Sequence, residues 1–225
     1  MKNLHLISFI LVLFATGCKP YFKATDFEQV TEDHTTVAIL PFELFTVGHV
    51  PAKLTPEMIA EIEEVESTTF QSSFYNKVLS STQRGRGQLR VGMQHYTETN
   101  SLLEQNGITV RESWSMSPKK LANVLGVDAV VKARIEKNQY FSDGLSAGID
   151  IAETIFTILT DTTDPFYVSD NNKKVTSDYS LVDSDGITLW SIGYNNSSDW
   201  REQADQLVSQ INHRSSRHFP YRQAK

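Results

Sequence analysis

The chain has 225 residues, 40% of them hydrophobic, which is enough for one domain with an ordinary apolar core. Its 27 acidic residues outweigh 21 Lys and Arg, a formal net charge of -6. That balance excludes a nucleic-acid binder with a broad basic footprint and argues against an electrostatic grip on anionic lipid. A single cysteine excludes an intrachain disulfide.

The first eighteen residues carry the clearest address. Lys2 supplies a positive charge, Leu6 to Phe14 are almost wholly apolar, and Ala15-Thr16-Gly17 lead into Cys18. A basic start, a short apolar core and small residues make a secretory signal, too short for a permanent span. Because the small residues end on the only cysteine, the segment resembles a bacterial lipoprotein signal. In such a signal the cysteine is acylated, palmitate included, and becomes the first residue of the mature chain. The place three residues before the cysteine, usually Leu, is Ala15 here. The alternative is a plain secretory signal followed by a coincidental cysteine. Residues 19–34 are polar and aperiodic and read as a tether, leaving 35–225 as a single α/β domain. Lys19 stands where the inner-membrane retention signal of enteric bacteria has Asp, so the resemblance implies an outer-membrane anchor with the body facing the periplasm.

The domain opens on Thr36 to Phe42, a β-prone apolar run that reads as a buried strand ending at Pro41. A loop through Gly48 and Pro51 leads to Thr55-Pro56-Glu57, a helix start with a capping hydroxyl, Pro at the first position and an acid in the first turn. Met58, Ile59, Ile62, Val65, Phe70, Phe74, Val78 and Leu79 make its inward stripe, with Ser67-Thr68-Thr69 as a point of kinking or division. Arg84-Gly85-Arg86-Gly87 reads as a solvated turn. Its two arginines could meet a phosphate, but no phosphate-loop spacing accompanies them.

Leu89, Val91 and Met93 alternate as a half-buried strand. Thr97 or Thr99 caps the next helix, Leu102 and Leu103 face inward, and Asn106-Gly107 stops it. Trp114 and Met116 fall in a connection. Ser117-Pro118 starts another helix with Leu121, Val124 and Leu125 inward and Gly126 as its cap. Val127 to Ile135 is the second strongly apolar strand. Leu145, Ile149, Ala152, Ile155, Phe156 and Leu159 form a helical stripe, read either as a helix packed on the domain or as a partner surface for protein, a second subunit or lipid. Asp161 to Lys174 is polar and reads as a loop. Two alternating runs around Ser184-Asp185-Gly186 make a hairpin; Asp183 and Asp185 match half of a calcium loop whose other ligands are missing. The last helix has Asp199 and Glu202 as a capping box and Trp200, Ala204, Leu207, Val208 and Ile211 as its stripe, and a basic tail from His213 ends at Pro220 and beyond.

This order predicts an α/β fold: a mixed central sheet of about five strands flanked by helices, with a C-terminal hairpin and helix. Four stretches carry a family resemblance: Val37-Ala38-Ile39-Leu40-Pro41-Phe42, Thr99 to Ile108, Leu121 to Val131, and Leu181 to Trp190. In that order, over about residues 36–212, they resemble the domain of curli-transport (CsgG-like) lipoproteins and of lipoprotein activators of cell-wall synthases. That domain is itself similar to the N-terminal domain of the periplasmic protein TolB. The resemblance implies an anchored, non-catalytic scaffold, activator or ring. Curli-type channels insert paired hairpins into the membrane, but no run here has the ~10-residue alternation of such strands.

No catalytic signature accompanies these features. Gly-x-Ser-x-Gly occurs once, at Gly144-Leu145-Ser146-Ala147-Gly148, but the largely polar residues 136–143 before it are not the strand that leads into a nucleophile elbow, and His213 and His218, five apart, diverge on a helix and read as solvated tail residues. Asp128 reads as a cap or turn contact, with a functional acid as the alternative. Neither a catalytic residue, a metal ligand nor a cofactor is expected. The leading function is a lipid-anchored periplasmic scaffold or accessory factor of an envelope or secretion assembly, with an unknown protein partner, or a second copy of itself, and no nucleic acid. A small-ligand or glycan binder using Trp114, Tyr140 and Tyr167 is the second reading, and an uncharacterised enzyme the third. If the 145–159 stripe is a contact surface, Phe156→Glu changes the assembly state, read by light scattering, without unfolding the monomer. Loss of both together marks the stripe as core.

Overall fold

The structure, a computed structural model, describes residues 21–47, 55–82, 87–137, 174–197 and 204–223. Cys18, the stripe Leu145, Ile149, Ile155, Phe156 and Leu159, the Arg84–Arg86 turn and the Asp199–Glu202 capping pair lie outside the described residues, as do Tyr140 and Tyr167.

The expected mixed α/β sheet is present, with seven strands. They are β1 (Tyr21–Lys23), β2 (Thr36–Ile39), β3 (Glu43–Thr46), β5 (Gly92–Met93), β6 (Ala129–Lys137), β7 (Lys174–Asp183) and β8 (Thr188–Ser197). The order is β1-β8-β7-β6-β2-β5, and β3 also pairs with β6. β2, β3 and β5 join by parallel pairing, while β6, β7, β8 and β1 form an antiparallel run. A separate two-stranded sheet joins β4 (Gln88–Leu89) to β9 (Arg222–Gln223).

Two strands beyond the expected five have identifiable causes. Pro41 does end β2, but the chain returns to the same neighbour as β3. Ile39 lies opposite Val131 and Glu43 opposite Arg134. Four steps on one strand thus match three on the other, a bulge that accommodates a residue unable to donate to the ladder. The other addition, β1, comes from the stretch expected to be a tether. Residues 21–34 are instead folded onto the body. β1 pairs with β8, Phe27 in the short helix α1 (Phe27–Val30) is 1% exposed, and its ring meets Tyr221 edge-on at 5.2 Å. The tail likewise contributes Phe219 and Tyr221 to the core, while its basic residues His213, Arg214, Arg217 and His218 are exposed.

The long helix α2 (Pro56–Thr82) starts at the expected place and runs unbroken through Ser67-Thr68-Thr69. Thr68 and Thr69 donate their hydroxyls to the Val65 carbonyl at 3.0 and 2.8 Å, so these side chains use helix acceptors without dividing the helix. Its C-terminal half buries Phe70, Phe74 and Val78 as the periodicity requires. In its N-terminal half the buried positions are Glu63, Glu66 and Ser67, while Met58, Ile59, Ile62 and Val65 are half-buried. Arg111 of α4 (Val110–Ser115) explains Glu63, reaching it at 2.6 Å.

α2 and α6 (Ala204–Ser216) cover one sheet face and enclose the larger core, where Phe42, Phe74 and Tyr179 pack ring on ring. Buried Tyr179 donates to Asn212 Oδ1 at 2.8 Å, and Asn212 Nδ2 donates to the Phe70 carbonyl at 3.0 Å, which satisfies polar groups in an otherwise apolar layer. On the other face α3 (Tyr96–Gln105) and α5 (Pro118–Leu125) close a smaller core around Ala38, Leu40 and Val130. α3 is capped by His95, two residues before Thr97 and four before Thr99, and α5 is capped by Ser117 with Gly126 left-handed at φ 65°, as expected.

Docking of residues 21–34 is testable. Phe27→Ala should destabilise the domain by about 3–5 kcal/mol in urea unfolding. A residue in a free tether would change stability by less than about 0.5 kcal/mol.

Candidate interaction surface

The sequence of β6 sets the character of the second sheet face. Ala129, Val131, Ala133 and Ile135 point into the larger core. On the opposite face Val130 lies in the smaller core, and the next residues on that side are Lys132, Arg134 and Glu136. The same change occurs across the neighbouring strands, where Asp178, Ser180 and Ser191 share the polar face with Phe22 of β1. The result is a groove of about 520 Å³ floored by β6, β7 and β8 and edged by Phe22 and Glu43.

Its charges are distinguishable by their partners. Lys132 is half-buried and donates to the Trp114 and Met116 carbonyls at 2.6 and 3.2 Å, so it fastens the α4–α5 connection to the sheet. Burial lowers its pKa, and Glu43 partly offsets that. Arg134 is exposed. Its guanidinium sits 3.7 Å from Glu43 and 5.0 Å from the Phe45 ring centroid. Asp178 lies opposite Arg134 across the β6–β7 ladder. Burial raises its carboxyl above the ordinary value, with Arg134 opposing and Glu136 reinforcing the shift. An exposed arginine with a carboxylate on either side and an aromatic beneath suits a polar, extended partner segment. It offers no nucleophile paired with a base.

A second titratable cluster lies at the end of the sheet and is closed by packing. His34 Nδ1 is 2.5 Å from the hydroxyl of buried Tyr221. Arg90 donates to Thr31 Oγ1 and lies over the Phe27 and Tyr221 rings. Asp128 Oδ2 accepts from the Thr35 and Thr36 backbone N–H groups at 2.7 and 2.9 Å and from the Thr35 hydroxyl at 3.0 Å. This is a strand-start cap, the structural role expected of it, made to Thr35 and to Thr36 at the start of β2. Burial alone would raise the Asp128 carboxyl, but those hydrogen bonds and His34 outweigh it and lower the pKa.

The remaining candidates separate. Asp183 Oδ1 accepts from the Asp185 and Ile187 backbone N–H groups at 3.0 and 2.7 Å, which is turn chemistry. Among the described residues no three His, Cys, Asp or Glu side chains converge as metal ligands, and no helix is long and apolar enough to cross a membrane. His213 and His218 are exposed. Trp114 is half-buried with Arg111 over its ring at 5.2 Å, so it is not an open stacking platform. The groove itself was not singled out by sequence reasoning; the alternation Val130-x-Lys132-x-Arg134-x-Glu136 was the available signal.

No protein-family model matches the chain, and no curated protein matches it. Among solved structures it is similar to lipoprotein GNA1162 from Neisseria meningitidis, with 13% identity over 82% of this chain and 96% of that one, at a TM-score of 0.45. It is also similar to the PelC dodecamer from Paraburkholderia phytofirmans, with 11% identity over 85% and 90% and a TM-score of 0.42. A third likeness is to the LpoB C-terminal domain from Escherichia coli, with 12% identity over 73% and 84% and a TM-score of 0.35. Likeness at this level does not carry a function from one chain to another.

The His34 contact predicts a pH dependence. Burial lowers the His34 pKa below 6.5 despite the opposing pull of Asp128 and Asp183. The folded state therefore favours the neutral ring. The stability this contributes is whole above about pH 6.5 and is lost as pH falls through the lowered folded value. The melting temperature of the wild type should drop over that window more than that of His34→Gln, and parallel curves would refute the assignment.

Proposed function

We propose that the protein is a lipid-anchored component of the bacterial envelope. Acyl chains on Cys18 hold it on the periplasmic side of the outer membrane, where it acts as a non-catalytic scaffold or accessory factor of an envelope or secretion assembly. The observation that carries this reading is the N-terminal order of Lys2, an apolar core, small residues and the only cysteine of the chain. The ordered resemblance to CsgG-like and synthase-activator lipoprotein domains supports it. The titratable groups of the described body support it as well. Asp128, Lys132 and His34 are each held by the fold in structural hydrogen bonds. The groove beside Arg134 is the surface on which a protein partner docks.

A second reading, a small-ligand or glycan binder, draws on the groove's volume of about 520 Å³, which lies in the range of ligand sites.

Cys18→Ser should leave the fold intact and release the protein from the membrane fraction; retention there would count against acylation. A photocrosslinker at Arg134 in intact cells should capture one reproducible envelope protein. Absence of any captured protein, with a rise in melting temperature on adding a glycan, would favour the binder.

A further inference from the structure

The exit point of the chain toward Cys18 lies on a basic and aromatic edge of an otherwise acidic protein. Tyr21 and Phe22, 48% and 47% exposed, straddle the outer edge of β1 and project to opposite sheet faces. The Tyr21 ring is 6.0 Å from the His218 ring, and the Tyr194 hydroxyl donates to the Arg214 carbonyl at 3.3 Å, so the C-terminal end of α6 flanks β1. Arg214, Arg217 and His218 are all exposed there. From Gln206 onward the sequence contains no Asp or Glu.

Chain length then fixes where this edge sits. Were 19–34 a free tether, it could reach about 55 Å from Cys18 at roughly 3.4 Å per residue. With β1 paired to β8 from Tyr21, only three peptide steps separate Cys18 from the folded body, a reach of about 10 Å. The interfacial layer on each side of a bilayer is itself roughly 5–7 Å deep. An acylated Cys18 at headgroup level therefore cannot let the β1 edge leave the surface unless β1 unpairs.

We infer that the β1 edge, formed by Tyr21, Phe22, Arg214, Arg217 and His218, is a membrane-apposed surface. It contacts the phosphate-bearing headgroups of the bilayer that holds the anchor, an inference that rests on acylation of Cys18. Tyrosine suits that depth because its ring is apolar and its tip is polar, and the guanidinium groups face lipid phosphate.

The test uses the mature protein reconstituted into phosphatidylethanolamine–phosphatidylglycerol vesicles, with a single introduced thiol carrying a fluorophore. A label at His218→Cys should be quenched by headgroup spin-labelled lipid several times more strongly than one at Glu104→Cys. Glu104 lies on α3, across the sheet from β1. Arg217→Glu, or a long Gly/Ser insert after Pro20, should lower the His218→Cys quenching. Acylated protein with equal quenching at both positions, or with no response to Arg217→Glu, overturns the apposition alone. A mature N-terminus shown by mass spectrometry to lack acyl chains overturns the anchor and the apposition with it.

Discussion

Strand β6 is paired along both edges, parallel to β2 and then β3 on one side and antiparallel to β7 over its full length on the other. Neighbouring strands flank it on both sides apart from the bulge between Val131 and Arg134, so what varies along it is the chemistry of its two faces. One face is apolar from Ala129 to Ile135 and supports the larger core. The other is apolar only where α5 lies and becomes charged from Lys132 onward. That single change of composition limits the second helical layer to part of the sheet. It also requires Lys132 to find acceptors at the margin, which the α4–α5 connection supplies through two carbonyls. The groove is what the second layer does not cover.

The elements readable from sequence were those with local signals. β2, β6 and the hairpin show runs or alternation, and α5 is bracketed by Ser117-Pro118 and Gly126. The elements not anticipated depend on partners far away in sequence. Phe27 and Tyr221 are isolated aromatics with no periodic company, yet each covers the other, and His34 meets Tyr221 across 187 residues. α4 is a different case, because its Thr109–Glu112 capping box was visible in the sequence and marks a helix of only six residues. In α2 the apolar stripe suggested one inward face, and the ion pair between Arg111 and Glu63 selected another for its first half.

The surface was legible only in part. Composition reported a net acidic chain, which argues against lipid electrostatics on average. The fold separates the charges, gathering Arg214, Arg217 and His218 beside the strand that leads to Cys18. A mean charge carries no information about such segregation, whereas the absence of acids in the last twenty residues does. Trp114 illustrates the reverse error. An aromatic in a polar connection suggested a stacking platform, but Arg111, recruited by Glu63 and Glu64, occupies its face.

The joining of the first and last segments has a consequence for the order in which the protein folds. Residues 21–34 pair with β8 through β1 and also contact Tyr221 and Arg90, whose side chain reaches both Thr31 and the Tyr221 ring. Contacts this distant in sequence form only once the C-terminal segment is present, and such closures are late and entropically costly steps. Before them the chain between Cys18 and β2 is a long, compliant link; after them only Lys19 and Pro20 separate Cys18 from the folded body at β1. Completion of the fold and approach of the body to Cys18 are thus the same event. The position of the domain relative to Cys18 reports whether the core around Phe27 and Tyr221 has closed.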